Sequence, residues 1–435
     1  MRKLFICAII ISLLLVSCAK KEKEITVIYF AGLPMGQLMK EMIPEFTQKT
    51  VIKVNFLEIP YDGVRTKELT SVKQKQGAYD VMYVDDIWMY EYAKEGIIIP
   101  LDQYVTRDSA EVEFDDFVEK VRIAESILDD VIWLMPQRAD AQCLFYRTDL
   151  FEEEKNKREF KNKYGYDLKP PDTWFEFRDI AEFFTQDLDN DGKIDLYGTT
   201  MTLKRPHFAF EFFAMRYWSF TNEQFLDENK KPIFNCPKGI EALEFLVSLK
   251  KFAPPGVSNW QHDEAITAFA SGLTAMCPQW FAFYPVFNDP NTSKIVSKFS
   301  VALVPGMYHD DELVRAPSIG GGSFGIPVDS KQKDEAWEFV KFMTSKDFMR
   351  RAAMRGAIVT RKSAYTDPEV LEKHPIYSVH LRSLQISWYR PRLIKYAELQ
   401  EEIGLAVSRA LVGEMTPKEA ISIAEKNSIK ITRSK

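Results

Sequence analysis

At 435 residues, with 46% hydrophobic and 28% charged residues, the chain is long enough for two lobes with separate cores and reads as an ordinary soluble globular protein. Its 57 Lys and Arg stand against 63 Asp and Glu, a net charge of −6 that leaves no broad basic surface and excludes nucleic acid as an expected partner. The 31 Phe, 18 Tyr and 8 Trp exceed what a core requires, although most will still be core.

The chain opens with Arg2 and Lys3, an apolar run from Leu4 to Val16, and small residues before Cys18. This pattern predicts a secretory signal peptide over residues 1–17. An apolar run of about 13 residues falls short of the roughly 20 that span a bilayer. Leu15-Val16-Ser17-Cys18 resembles the bacterial lipobox, in which the Cys becomes the lipidated first residue of the mature chain. Residues 18–24 then form a solvated tether to a membrane surface, held by acyl chains of the palmitate kind at about 0.8 kcal/mol per buried CH₂. Past Cys18, Cys143, Cys236 and Cys277 permit one disulfide at most, match no zinc spacing, and read as buried free thiols.

Ile25 to Phe30 is a strand-like apolar run, followed by a loop and an amphipathic helix within residues 32–50. Val51 to Ile59 alternates with period two, a polar helix is expected near Gly63 to Gln76, a third strand over Asp80 to Val84, and a helix around Ile87 to Lys94. Strands alternating with helices predict an α/β lobe on a mainly parallel sheet, which binds ligands beyond the carboxyl ends of its strands. That singles out Ala31 to Gly36 and the run Asp85, Asp86, Ile87, Trp88.

Further on, Asp187 to Gly198 places Asp187, Asp189 and Asp191 at loop positions one, three and five, Gly192 at six and Asp195 at nine. Such spacing gathers hard oxygen ligands for Ca²⁺, with Lys193 supplying a backbone carbonyl. The bidentate Glu of an EF-hand is replaced by Gly198, so a structural calcium and a metal-free turn both remain open. The stretch GGGSFGIPVDS, Gly320 to Ser330, fits both the dinucleotide fingerprint and the G-x-S-x-G nucleophile elbow. Both require a helix to begin at once, whereas Ile326 to Asp329 reads as extended and the helical period starts only around Lys331. The glycines then serve either close approach of backbone to a ligand or opposite lobe, with Ser323 offering a hydroxyl, or plain tight packing.

The blocks YDVMYVDDIWMYEYAKEGIIIPLD, VIWLMPQRADAQCLFYRTDLF, AITAFASGLTAMCPQWF, GGGSFGIPVDSKQKDEAWEFVKFMTS and LVGEMTPKEAISIAEK span nearly the whole mature chain. In content and order they resemble the extracellular solute-binding proteins of sugar ABC importers, the family of the maltose-binding protein. The resemblance implies a two-lobed α/β periplasmic-binding-protein fold of type II with three inter-lobe crossings, near Pro136 to Asp140, Pro305 to Pro317, and Ala357 to Arg361. The first lobe would hold residues 25–138 plus 307–359 and the second 139–306 plus 360–435. It also implies an exported, lipid-anchored monomer without turnover, in the periplasm or on the outer face of the cell membrane, closing on a sugar or related polar solute and delivering it to an ABC permease.

Sugars present hydroxyl edges and apolar faces, so their sites pair carboxylates and amides with aromatic platforms. Asp85, Asp86 and Trp88 have that composition. Arg138, Asp140 and Gln142 alternate along an extended stretch; Asp140 matches a sugar-binding acid of the family, and Arg138 with Asp140 equally reads as a plain ion pair. Trp280 resembles the stacking aromatic of the second lobe, with Tyr284 close behind. Trp218, Gly321, Ser323, Trp388 and Arg390 complete the candidate set, and the two arginines leave room for an acidic sugar. Polar residues near Gln400 and Glu401, where one sugar-binding relative carries a stacking Trp, speak against a maltose-type substrate. Two other readings compete: a secreted serine hydrolase using Ser323, and a surface lipoprotein that binds a macromolecule.

Overall fold

The computed structural model describes residues 23–32 and 34–433, so the signal peptide and Cys18 lie outside the described residues. Strand β1 (Lys23–Phe30) starts two residues before its apolar run, because Lys23 and Glu24 already pair with Ile52 and Lys53. The expected tether therefore ends sooner than residue 24, and the Lys23 ammonium meets Glu335 at 2.6 Å. Helix α1 (Pro34–Thr50) buries Met35, Leu38, Met39, Met42 and Phe46, a one-sided stripe at helical spacing. Strand β2 (Ile52–Ile59), helix α2 (Tyr61–Lys73) and strand β3 (Val81–Asp85) follow. Strands β2 and β3 flank β1 in parallel, and Ile25, Val27, Ile28 and Tyr29 are all fully buried because helices cover both faces.

Strand β4 (Met135–Arg147) is shared by both lobes. Beyond it come β5 (Tyr197–Thr199), helix α3 (His207–Thr221), β6 (Thr274–Trp280), β7 (Phe299–Ala302), the hairpin β8 (Gly306–His309) and β9 (Glu312–Arg315), β10 (Ile319–Gly325) and helix α4 (Lys333–Met343). The sheet runs β2-β1-β3-β10-β4-β6-β5, with β7 also on β4. β10 lies antiparallel to β3 and to the first half of β4, while β6 and β7 lie antiparallel to its second half. The sheet is thus mixed where it passes between lobes. Side chains alternate across it: Leu144 and Met276 face a core with Trp174, Phe177, Phe213 and Ile403, whereas Cys143, Phe145 and Cys277 face Ile266, Phe269 and Phe287. Cys143, Cys236 and Cys277 are free thiols.

Packing redraws the expected lobe boundaries. The β8–β9 hairpin belongs with the second lobe: Gly306 bridges to Thr173, His309 Nε2 lies 2.8 Å from the Ser219 carbonyl, and Val304 and Ala316 join the second core. The division expected at 307 therefore falls after Ala316. Residues 360–385, expected in the second lobe, pack on the first. The buried Arg361 guanidinium donates to the Thr344 and Val112 carbonyls, and Tyr377 donates to the Ala357 carbonyl. The second core resumes only with Tyr396, Leu399 and Ile403.

Candidate functional site

β10 shifts register against β4 between Gly322 and Ser323, at the place where the chain changes lobe. Beside this junction a cavity of about 480 Å³ opens between the lobes. Its first-lobe wall includes Arg138, Asp140, Gly320 and Gly321; its second-lobe wall includes His207, Glu211, His262, Trp280 and Phe283; Arg390 closes it from the connecting segment. A Cβ on Gly320 would lie 2.9 Å from the Trp280 ring and 3.3 Å from Arg390 Nη2. Only glycine lets the strand, the ring and the guanidinium meet there. Gly321, at φ +154°, would bring a Cβ to 2.3 Å from the Arg138 carbonyl oxygen.

Charge is organised around Arg390. Its Nη2 donates to Asp86 Oδ1, its Nε reaches Asp86 Oδ2 at 3.3 Å, and its Nη1 reaches Glu211 Oε1 at 3.2 Å. One guanidinium so ties the first-lobe acid to the second-lobe acid. Asp85 lies 3.9 Å from the same group and accepts the Tyr61 hydroxyl at 2.9 Å. Burial first, then the neighbouring Asp86, pushes its carboxyl up to about 7 against the pull of Arg390. Burial also raises Glu125 well above the usual carboxylate range; its Oε2 meets the Ser323 hydroxyl at 3.4 Å, and its Oε1 has no partner among the described residues.

Arg138 and Asp140 are not paired with each other. Arg138 donates to the Tyr83 hydroxyl at 3.4 Å and lies 5.6 Å from the Phe30 ring centre. Asp140 accepts the Ala141 and Ala282 backbone N–H groups at 2.8 and 3.2 Å, and sits 3.5 Å from His380. Burial holds His380 below the ordinary imidazole range although Asp140 opposes it.

Residues 33–349 match the family described as bacterial extracellular solute-binding protein. The chain belongs to that family. Over 398 residues it is 24% identical to a probable amino-acid ABC transporter periplasmic-binding protein of Sinorhizobium fredii, covering 89% of this chain and 84% of that one. A mannitol-binding protein of Pseudomonas aeruginosa is also 24% identical, over 90% of this chain and 88% of its own length. Among solved structures, a solute-binding protein of Agrobacterium radiobacter in complex with ribitol superposes with a TM-score of 0.79 at 26% identity, covering 94% of this chain and 98% of the other. Maltose-bound MalE3 of T. maritima gives 0.76, also at 26% identity, over 94% and 99%. The two-lobed architecture implied by the sequence is that of these proteins.

Within this solute-binding protein, the candidates Arg138, Asp140, Trp280, Gly321 and Arg390 line the cavity. Other candidates lie elsewhere. Trp218 is fully buried in the second core and stacks on Trp388 at 6.1 Å, so neither it nor its neighbour reaches the cavity; Trp388 instead lines a separate hollow of about 300 Å³ with Arg315 and Arg382. Trp88 is sandwiched between Tyr61 and Tyr92. Gln142 is spent on the Ser318 N–H at 3.2 Å, and Tyr284 stacks against Phe281. Asp85 and Asp86 stand behind the wall and act through Arg390. Ser323 is fully buried within β10, which runs on to Gly325 while α4 starts only at Lys333, and its hydroxyl meets Glu125 and no histidine. No nucleophile elbow exists there, and the hydrolase reading has no support.

His207, Glu211 and His262 line the cavity too, and none of them stands out in the sequence. Helix α3 reads HFAFEFFAMRYWSFT, and its apolar run hides the one acid, Glu211, which is 4% exposed and lies 3.4 Å from His207 Nε2 one turn earlier. A lone carboxylate in a buried helix was the available signal. The acidic loop lines no part of the cavity. Asp187, Asp189 and Asp195 bring carboxylate oxygens within 4.8 Å of one another. Asp191 is not in that group; it accepts the Lys193 N–H at 2.8 Å and has the Lys193 ammonium 3.5 Å away. Gly192 takes φ +89° and donates its N–H to Asp187 at 2.8 Å, so the loop already closes on itself.

Proposed function

We propose that this protein captures a carbohydrate or polyol in the inter-lobe cavity and hands it to the permease of an ABC importer, as a monomer anchored through Cys18 and without chemical turnover. The observation that carries the reading is the Trp280 ring held against Gly320 inside the cavity, with Arg138, Asp140 and Glu211 around it. An apolar ring face beside fixed hydrogen-bonding groups is what a sugar or polyol requires, since its carbons need a surface and its hydroxyls need partners. The relatives support the class: one is named for mannitol, and the solved structures hold ribitol and maltose. Contacts from both lobes to one solute favour the closed form, which is the form a permease recognises. No helix among the described residues is long and apolar enough to cross a membrane, so in this reading the acyl chains are the anchor. We extend the proposal to a structural calcium ion among Asp187, Asp189 and Asp195, away from the solute.

A thermal-shift screen against pentitols, hexitols, mono- and oligosaccharides and amino acids tests the solute class. A ligand at 100 times its Kd adds about 2.7 kcal/mol, a readily measured shift. A polyol or sugar shift that Trp280→Ala removes supports the reading. A shift with amino acids alone transfers the protein to a different solute class. Cys18→Ser should release the protein from membranes, and full retention would overturn the anchor.

A further inference from the structure

The cavity is built with more buried acid than base. Asp85, Asp86, Glu125, Asp140 and Glu211 are each at least nine-tenths buried in and behind its walls. The guanidiniums that line it are Arg138 and Arg390. Arg390 is divided among three carboxylates: Asp86, Glu211 and, at 3.9 Å, Asp85. Arg138 makes no ion pair among the described residues; its charge is felt at longer range by Glu125 and Asp140. His262 and His380 do not make up the difference, because burial holds both below the ordinary imidazole range. Protons do so in part: burial first, and the neighbouring Asp86 next, raise the carboxyls of Asp85 and Glu125 against the pull of the arginines.

Two further features concern what fills that space. Both contacts to Glu211, from Arg390 and from His207, fall on Oε1, which leaves Oε2 unengaged among the described residues. His262, which also lines the cavity, buries an Nδ1 without a partner among the described residues. A buried polar atom left unpaired is costly, so it marks where a solute group or water is expected. Trp280 and Phe283 add ring faces, whose negative quadrupoles favour a cation.

Resting on the reading of the cavity as a sugar or polyol site, we propose that the solute carries a primary ammonium group, as in an amino sugar or amino polyol. Glu211 receives the ammonium, Trp280 covers the carbon face, and His262 accepts a hydroxyl. An anionic sugar is disfavoured, because its carboxylate would add to the acid side of a cavity that already holds more buried acid than base.

Calorimetric titration of the purified protein with two matched sets tests this. One set is sorbitol, glucamine and gluconate; the other is glucose, glucosamine and glucuronate, with N-acetylglucosamine added. The amine of at least one set should bind about tenfold more tightly than its neutral partner, as expected for a hydrogen bond to a charged group over a neutral one. The acid should bind more weakly than both, and N-acetylation, which removes the charge without touching the protein, should abolish the advantage. Glu211→Gln should lower amine affinity more than neutral affinity, so that the ratio between the two shrinks. Neutral members binding as tightly as amines, or acids binding tightest, would overturn the proposal and leave the sugar reading standing. If no member of either set binds, nor any sugar or polyol of the broader screen, both fall together.

Discussion

The two walls of the cavity are made of different material. On the first lobe, Arg138, Asp140, Gly320 and Gly321 sit on paired strands, and their positions are set by a ladder of backbone hydrogen bonds. On the second, Trp280 ends a strand while Phe283, His207, Glu211 and His262 ride on short helices and α3, so the wall is mostly ring faces. One wall supplies fixed polar geometry, the other apolar area. Arg390 belongs to neither and binds the two together through Asp86 and Glu211. A solute is then recognised by direction on one side and by surface on the other.

The largest break in this arrangement is Arg390→Ala. It strands two buried carboxylates, and removing one partner of a buried charge pair costs about 3–5 kcal/mol. Denaturant unfolding should show that loss, and adding Asp86→Asn with Glu211→Gln should recover most of it. A single variant within about 0.5 kcal/mol of the parent would refute the role of Arg390 as the tie between lobes.

Two tryptophans sharpen the contrast between core and wall. Trp218→Ala removes a fully buried ring and should cost about 3–5 kcal/mol in stability. Trp280→Ala should instead weaken solute binding by roughly ten- to a hundredfold, with a smaller change in unfolding midpoint. Gly320→Ala, which presses a methyl toward the same ring, should weaken binding by a lesser factor while the fold survives. If the two tryptophan variants show the same ratio of lost affinity to lost stability, the division between wall and core is wrong.

Asp85 gives the wall a pH signature. Its folded carboxyl titrates near 7 and its unfolded one in the ordinary carboxylate range. Between these values the folded state keeps a proton that the unfolded state has lost, so stability declines as pH rises through that window and levels off above it. The decline is on the order of a few kcal/mol at most, and Asp85→Asn should flatten part of it. A slope unchanged in the variant would assign the effect to Glu125 or Glu68, which burial raises in the same direction.

Periodicity made the first lobe legible. β1 and β3 lie where apolar runs placed them, because strands buried on both faces must be apolar, and the half-exposed edge strand β2 lies where alternation placed it. The lobe boundaries were less visible, since Arg361 looks like an exposed linker residue in sequence and is in fact a buried donor to three carbonyls. In the site, strand residues were readable: alternation exposes Arg138 and Asp140 together, and a Trp after a small-residue strand stands out. Helix α3 was not, because twelve of its residues are buried and the pattern offers no polar face against which Glu211 could be judged. Trp218 was misplaced for the same reason.

The smallest expected effect belongs to the acidic loop, which sets a third environment beside the two walls. Its carboxylates are mostly exposed, and the Leu188, Asp191 and Gly192 N–H groups already bond to them. Solvent screens their mutual repulsion, so a calcium ion there gains less than an ion in a buried site would. Millimolar calcium should raise the unfolding midpoint by only a few degrees, equivalent to about 1 kcal/mol, and Asp189→Asn should abolish that rise. Solute affinity should be unchanged by either, because no loop residue lines the cavity. A calcium effect on affinity would mean that the loop and the second-lobe wall move together, and that the walls are less independent than their construction implies.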